Sequence, residues 1–348
     1  MIRGFRLGRL VLILLALLSA GGCLNEPPTE LGIWSEFLPL DDIRPHIPVL
    51  AEHEAELYLA VSPADINADL WDFLRAAQSE NLTVFLWLQL PEEGTWLNED
   101  NIKAFTDYAR AVLEAAADAG LTLEWLIFDL EPSWGYAQEL RVAAATGDIA
   151  TLLDLFVTHH DPPSFTAATA ELCALVDELH ARDVRVMVAT LPWTIDDLFD
   201  GDPDLQDIFD TPLAHIPWDR VSVMVYRPFL EDLFGAAFSP AVVTSYARSA
   251  RAAFGSNVQV AIGNISTPGL LVPPGYEDPR ELQRDLAAVT SAGVSSVSVF
   301  SLDGMVIAGG PERWLTVVEE PTRPVANMDF STGLVRAGLR WGDLVAGW

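Results

Sequence analysis

From residue 31 the chain alternates between two hydrophobic rhythms. Short apolar, β-branched or aromatic runs recur at 32–37, 56–62, 82–90, 123–131, 184–191, 221–227, 258–265 and 294–302. Stretches with apolar residues at helical spacing fill most of the gaps. Strands alternating with helices predict parallel βαβ units. Eight such units predict closure into a single (β/α)8 TIM barrel, an α/β fold, over residues 31–321. A doubly wound open sheet is the competing architecture. It ordinarily carries a glycine-rich phosphate turn after its first strand, and no GxGxxG or GxxxxGK follows the first run here. The stretch 133–163 reads as an insertion after the fourth strand. Residues 322–348 read as a C-terminal extension packing on the barrel.

Helix boundaries follow from local chemistry. Ser62-Pro63-Ala64-Asp65 precedes one helix, and Asn98-Glu99-Asp100 opens another that closes at Gly120. Ser239-Pro240 and Asp278-Pro279 start two more, which end near Gly255 and Gly293. Capping residues and proline at the start, with glycine at the end, form the expected asymmetry.

Strand side chains alternate between two faces, so each run splits into an outer and an inner set. In the fourth run Leu126, Phe128 and Leu130 face the helices, leaving Ile127, Asp129 and Glu131 inside. In the sixth, Val221, Val223 and Val225 face out, and Ser222, Met224 and Tyr226 face in. The same division places Trp34 and Glu36, Tyr58, then Phe85, Trp87 and Gln89, and finally Phe300 inside. Barrel interiors are normally filled by branched aliphatics, and active sites lie at the C-terminal ends of the strands. Here those ends carry Trp, Glu, Gln, Asp and Tyr, an arrangement that favours a site over simple filling.

Composition narrows the class. The 348 residues carry 50 acids against 20 bases, giving a net charge of −30, and Lys103 is the single lysine. Such a surface repels nucleic acid, so no nucleic-acid partner is expected. At the N-terminus, Arg3, Arg6 and Arg9 precede an apolar run from Leu10 to Leu18, too short to span a bilayer. This is the pattern of a signal peptide, residues 1–22. Its end, Ala20-Gly21-Gly22-Cys23, resembles the lipobox of bacterial lipoproteins. The resemblance implies cleavage before Cys23, lipidation of that residue, and a polar tether over 23–30 holding the protein to a membrane at the cell envelope. Leu24 after the cysteine points weakly toward an outer membrane. Cys173, in a helical stretch, reads as a small buried hydrophobe, so no disulfide framework is expected.

Asp129 and Glu131 lie two residues apart on one strand face, roughly 6–7 Å between Cα atoms. Like charges that close push one pKa upward, which suits a carboxyl that must stay protonated as a general acid. Glu131, nearer the rim, fits that role, and Asp129 can orient it or a substrate group. Two carboxyls on one strand are poorly placed to flank a glycosidic bond as acid and nucleophile. They are better placed where the substrate's own 2-acetamido group attacks.

At these residues the chain resembles family 18 glycoside hydrolases, the chitinases and endo-β-N-acetylglucosaminidases. Their strand-four signature DxxDxDxE aligns with Glu124 to Glu131, matching at Asp129 and Glu131. Met224-Val225-Tyr226 matches that family's strand-six MxY, whose tyrosine helps hold the acetamido group. The resemblance implies catalytic roles for Glu131, Asp129 and Tyr226. Three positions depart from it: Ile127 replaces the middle Asp, Trp87-Leu88-Gln89 stands in place of Ser-x-Gly-Gly, and Phe300 stands where the family has a tryptophan.

Around this centre the expected carbohydrate contacts are Trp34, Glu36, Tyr58, Trp87, Gln89, Trp134, Trp193, Met224, Arg227, Phe300 and Asp303. Arg227 is placed to pair with Glu131 or a substrate acid. Asp303 reads as a second carboxylate or as the cap of the Asp303-Gly304 turn, and Glu36 as the better second carboxylate for a retaining mechanism. His159-His160-Asp161 has no matching ligand motif, so no metal or cofactor is expected. The sequence thus reads as an envelope-anchored glycoside hydrolase cleaving a β-linked, N-acetylated glycan. A non-catalytic glycan-binding barrel lipoprotein is the alternative, and an envelope scaffold without a sugar ligand the third reading.

Overall fold

The structure is a computed structural model. It describes residues 24–91, 95–199, 201–265, 275–325, 331–334 and 336–337. The expected signal peptide, Cys23 and most of the C-terminal extension lie outside the described residues. No helix among the described residues is long and apolar enough to cross a membrane.

Eight parallel strands close into a barrel in sequence order, β1 (Glu30–Ser35), β2 (Glu56–Val61), β3 (Thr83–Leu88), β4 (Trp125–Leu130), β5 (Arg185–Thr190), β6 (Arg220–Met224), β7 (Val258–Gly263) and β8 (Ser296–Phe300). Each falls on one of the eight runs read from the sequence. Closure pairs Gly32 of β1 with both Glu56 of β2 and Ser298 of β8. Antiparallel bonds from Asn25 to Thr322 tie the two ends of the described chain together beneath it.

The outer helices are α1 (Ile47–Glu52), α2 (Ala68–Ser79), α3 (Ile102–Asp118), α4 (Trp134–Thr146), α5 (Ile149–His159), α6 (Pro162–His180), α7 (Asp204–Ile208), α8 (Arg227–Phe234), α9 (Ala241–Phe254), α10 (Pro279–Ser291), α11 (Leu302–Ile307) and α12 (Glu312–Val318). Asp278 and Glu281 form a reciprocal capping box at the start of α10, with Pro279 in its first turn. The Ser62–Asp65 box closes instead on a 3-10 turn. The helix expected directly after it begins at Ala68, where the Asn67 side chain accepts from Asp69 N–H at 2.9 Å. Both boxes satisfy backbone donors, but only Asp278–Glu281 opens a helix with an apolar face long enough to bury.

Two apolar sets confirm the alternation of faces. Leu126, Phe128, Leu130, Val221, Val223 and Val225 pack in the shell between strands and helices. Trp34, Tyr58, Phe85, Trp87, Ile127 and Met224 fill the barrel itself, with Tyr226 and Phe300 packed on them from above.

The inner filling is layered. At the N-terminal end, Arg220 reaches Glu56 at 2.5 Å and the Tyr58 hydroxyl at 2.9 Å, while Gln259 donates to the same hydroxyl at 2.9 Å. The Arg220 guanidinium also lies 5.0 Å from the Trp125 ring. Above this plug sit Phe85 and Trp125, stacked at 4.8 Å, and Trp34, edge-on to Trp87 at 5.0 Å. Gly32 is required here, because a Cβ at that position would stand 2.2 Å from the Tyr58 ring. Aromatics take the volume that branched aliphatics usually occupy, and they support the polar layer at the strands' C-terminal ends.

Candidate active site

The carboxyl groups of Glu131, Asp129 and Glu36 gather at that C-terminal mouth. Glu131 follows β4 directly. Its backbone is anchored by Leu97, which donates to Asp129 O at 2.7 Å and accepts from Glu131 N–H at 3.1 Å. Regular β3–β4 pairing stops after two register pairs, at Trp87 and Ile127, and the segment at Leu97 takes over beside Leu130. Glu36 follows β1. Asp303 holds that turn, its carboxylate accepting from the backbone N–H of Glu36, Phe37 and Leu38 at 3.1, 2.7 and 2.8 Å. Gln89, at the end of β3, donates to Glu36 Oε1 at 3.2 Å.

Electrostatics follow from burial. Desolvation, with a smaller opposing effect from the hydrogen bond to Asp129, pushes Glu131 up to about 7. Desolvation, outweighing the Gln89 bond and reinforced by Asp303 and Glu131, pushes Glu36 up to about 8. Asp129 is raised well above the usual carboxylate range, first by burial and then by Glu131 and Glu36. Its Oδ1 is buried without a hydrogen-bond partner among the described residues. Tyr226 faces the same three acids, which add to the burial that raises its hydroxyl, and its ring leans on Phe300 at 5.6 Å. The group can therefore store protons at neutral pH and release one on demand.

These shifts carry a pH dependence of stability. A carboxyl whose folded pKa lies above its unfolded value binds a proton more tightly in the native state, so stability falls as pH rises between the two values. For Glu36 the window runs from about 4.5 to about 8. Its own contribution to the fall is on the order of 3 kcal/mol after discounting for its partial contact with solvent. Urea unfolding at pH 5 and pH 8 is expected to show a smaller drop for Glu36→Gln than for the wild type. Equal drops would contradict the burial assigned to Glu36.

The remaining expected contacts divide by depth. Trp87, Trp193 and Phe300 stand at or beside the mouth, and the Nε1 of both tryptophans lacks a partner among the described residues. Trp134 opens α4 and packs edge-on against Trp96 at 5.7 Å. Met224 lies inside the barrel below Tyr226. Three residues point elsewhere. Tyr58 turns down to the Arg220 plug, and Trp34 is 2 % exposed, its Nε1 donating to Ser298 at 2.9 Å. Arg227 turns outward to Asp285 at 2.9 Å and Glu231 at 3.1 Å, so the expected pairing with Glu131 does not form. A buried acid across the α8–α10 interface is the better partner for a guanidinium than a carboxyl that stays protonated. Asp303 spends its carboxylate on the backbone donors of the turn after β1 rather than on the Asp303-Gly304 turn expected of it, where Ser301 caps α11 instead.

His159 pairs with Asp210 at 2.8 Å and His160 lies 2.9 Å from Asp207, fastening the end of α5 to the loop around α7. No group of three metal-ligating side chains occurs among the described residues. Sequence reading missed Trp96, Leu140, Leu152, Phe156 and Phe209, which line a cavity beside Glu131. For Leu140, Leu152 and Phe156 the signal was the apolar content of the 133–163 insertion; Trp96 and Phe209 lie outside it.

No family model and no curated protein matches the sequence. Among solved structures, a GH18 chitinase from Pseudoalteromonas aurantia superimposes with a TM-score of 0.50 at 10% identity, covering 83% of this chain and 98% of the other. A β-glucosidase from Thermotoga maritima in complex with noeuromycin gives a TM-score of 0.50 at 12% identity, covering 88% of this chain and 86% of the other. The fold is thus a (β/α)8 barrel, like those of the family 18 chitinase and the β-glucosidase.

Proposed function

We propose that the protein is a glycoside hydrolase of the cell envelope, cleaving a β-linked N-acetylated glycan with Glu131 as the acid. The observation that carries this reading is the buried Asp129–Glu131 pair at the barrel mouth, hydrogen-bonded to each other and faced by Tyr226. Protonated Glu131 gives its proton to the glycosidic oxygen as the C1–O bond breaks. The oxygen of the substrate's 2-acetamido group closes on C1, held by Asp129 and Tyr226. Water then opens the resulting oxazoline at C1, restoring the acetamide and returning a proton to Glu131.

A two-carboxylate route would need Glu36 ionised while Glu131 stays protonated. Burial instead pushes Glu36 up to about 8, so it holds its proton at neutral pH. That favours a nucleophile supplied by the substrate. Ile127 supports a second reading: an apolar side chain below Asp129 removes an acid that the family 18 signature carries, which suits a barrel that holds a glycan without cutting it. In either reading Cys23 carries the lipid that keeps the barrel at the membrane.

The test is a panel of fluorogenic N-acetylglucosaminides, glucosides and galactosides. Cleavage confined to the acetamido sugars is the expected result. Turnover of plain glycosides would move the nucleophile to Glu36. Saturable binding of oligosaccharides without turnover would favour the glycan-binding barrel.

A further inference from the structure

Beside Glu131 a cavity of about 370 Å³ opens between the barrel mouth, the α4–α5 insertion and α8. This volume lies in the range of small-molecule sites. Its inner end is Glu131 with Trp96 and Trp193, and its outer walls include Leu140, Leu152, Phe156 and Leu233. Besides the indole N–H groups of Trp96 and Trp193, only Glu131, Gln138 and Arg141 among its lining side chains are polar, and Arg141 is paired with Asp232 at 3.3 Å. A further sugar ring there would leave most of its hydroxyls without partners, each a costly desolvation. Trp193 could stack on such a ring, but the aliphatic walls could not.

The helix forming one wall is unusual in itself. Helix α5 reads IATLLDLFVTH, yet not one of its residues is buried. Its own Ile149, Leu153 and Val157 are 62%, 48% and 77% exposed, as is Val142 of α4 at 60%, so the apolar lining runs on to the surface. Exposed contiguous apolar patches of this kind mark binding surfaces.

We propose that this cavity receives an alkyl or acyl chain on the leaving-group side of the substrate, so that the glycan cleaved is linked to a hydrophobic alcohol. The position follows from the acid, and this inference rests on that reading of Glu131. The group that protonates the glycosidic oxygen stands next to the leaving alcohol, and the space continuing outward from Glu131 is apolar. Breaking the C1–O bond releases the alcohol that bears the chain, its oxygen carrying the proton from Glu131.

Calorimetric binding of n-alkyl β-N-acetylglucosaminides and n-alkyl β-glucosides, methyl to octyl and below their micelle concentrations, tests the proposal. Wild type and Glu131→Gln are both titrated. Affinity is expected to rise with each added methylene, by up to about fourfold, the equivalent of ~0.8 kcal/mol. The slope should collapse in Leu152→Gln and in Leu233→Gln, whose half-exposed positions leave the core intact. A flat series in both head groups would overturn the proposal, as would a slope that survives both substitutions. A flat series from a chain that sediments as a dimer, dissociated by Leu153→Gln, would overturn it in favour of a second copy as occupant. A slope without hydrolysis of any member would sink the glycosidase reading while leaving the chain site standing.

Discussion

Replacing Glu131 with glutamine is expected to lower kcat on a cleaved fluorogenic N-acetylglucosaminide by roughly 10²–10⁴-fold, with KM changed little. Glutamine keeps the shape and the hydrogen bond to Asp129 but has no proton to give to the leaving oxygen. The pH profile makes the same point from the other side. Wild-type kcat/KM should fall as pH rises through about 7, where Glu131 loses its proton. Because Asp129 and Glu131 titrate as a pair, that limb belongs to the dyad rather than to one residue. A substrate whose leaving group departs easily needs less help from an acid, so the 4-methylumbelliferyl ether should show the smaller loss and an alkyl glycoside the larger. Equal activity of wild type and Glu131→Gln on both would remove Glu131 from the chemistry.

The second large effect concerns stability. Arg336 → Ala is expected to cost about 3–5 kcal/mol in urea unfolding, the cost of leaving one charge of a buried pair uncompensated. The guanidinium donates to Asp196 at 3.0 Å, to Ser245 at 2.7 Å and to Ser249 at 2.9 Å, and lies 4.5 Å from the Tyr246 ring. The Asp196 carboxylate is fully shielded from water. The double variant Arg336→Ala, Asp196→Asn should recover part of the loss, because it removes the orphaned charge as well. A change below 1 kcal/mol in the single variant would show that the C-terminal segment is not what neutralises Asp196. Asp196 lies three residues after Trp193, so loosening this pair should also weaken ligand binding at the cavity beside Glu131.

What could be read in advance was what period-2 alternation governs. Asp129, Glu131, Met224 and Tyr226 were assigned to the inner face because their outer neighbours are apolar. Alternation says which face a side chain takes but not its depth along the barrel. Tyr58 and Glu36 both point inward, yet Tyr58 is drawn to the floor by Arg220, which lies 162 residues further along the chain. The partner of Arg227 was equally hidden, since Asp285 sits on another helix 58 residues later. The hydrophobic insertion was visible as a segment, but no local pattern tells whether its apolar residues fill a core or line an open space. The expected signal peptide and Cys23 rest wholly on the order and composition of residues 1–23.

Closure of the barrel sets a schedule for the newborn chain. β1 cannot gain its second neighbour until β8 has been made, and Asn25 must wait for Thr322. At ordinary synthesis speeds the first strand therefore stands with one open edge for roughly 15–50 s. Contacts between residues so far apart also fold slowly once they become possible. An unfinished barrel of this kind leaves one edge of β1, with Leu31, Ile33 and Trp34, unpaired until its last strand arrives.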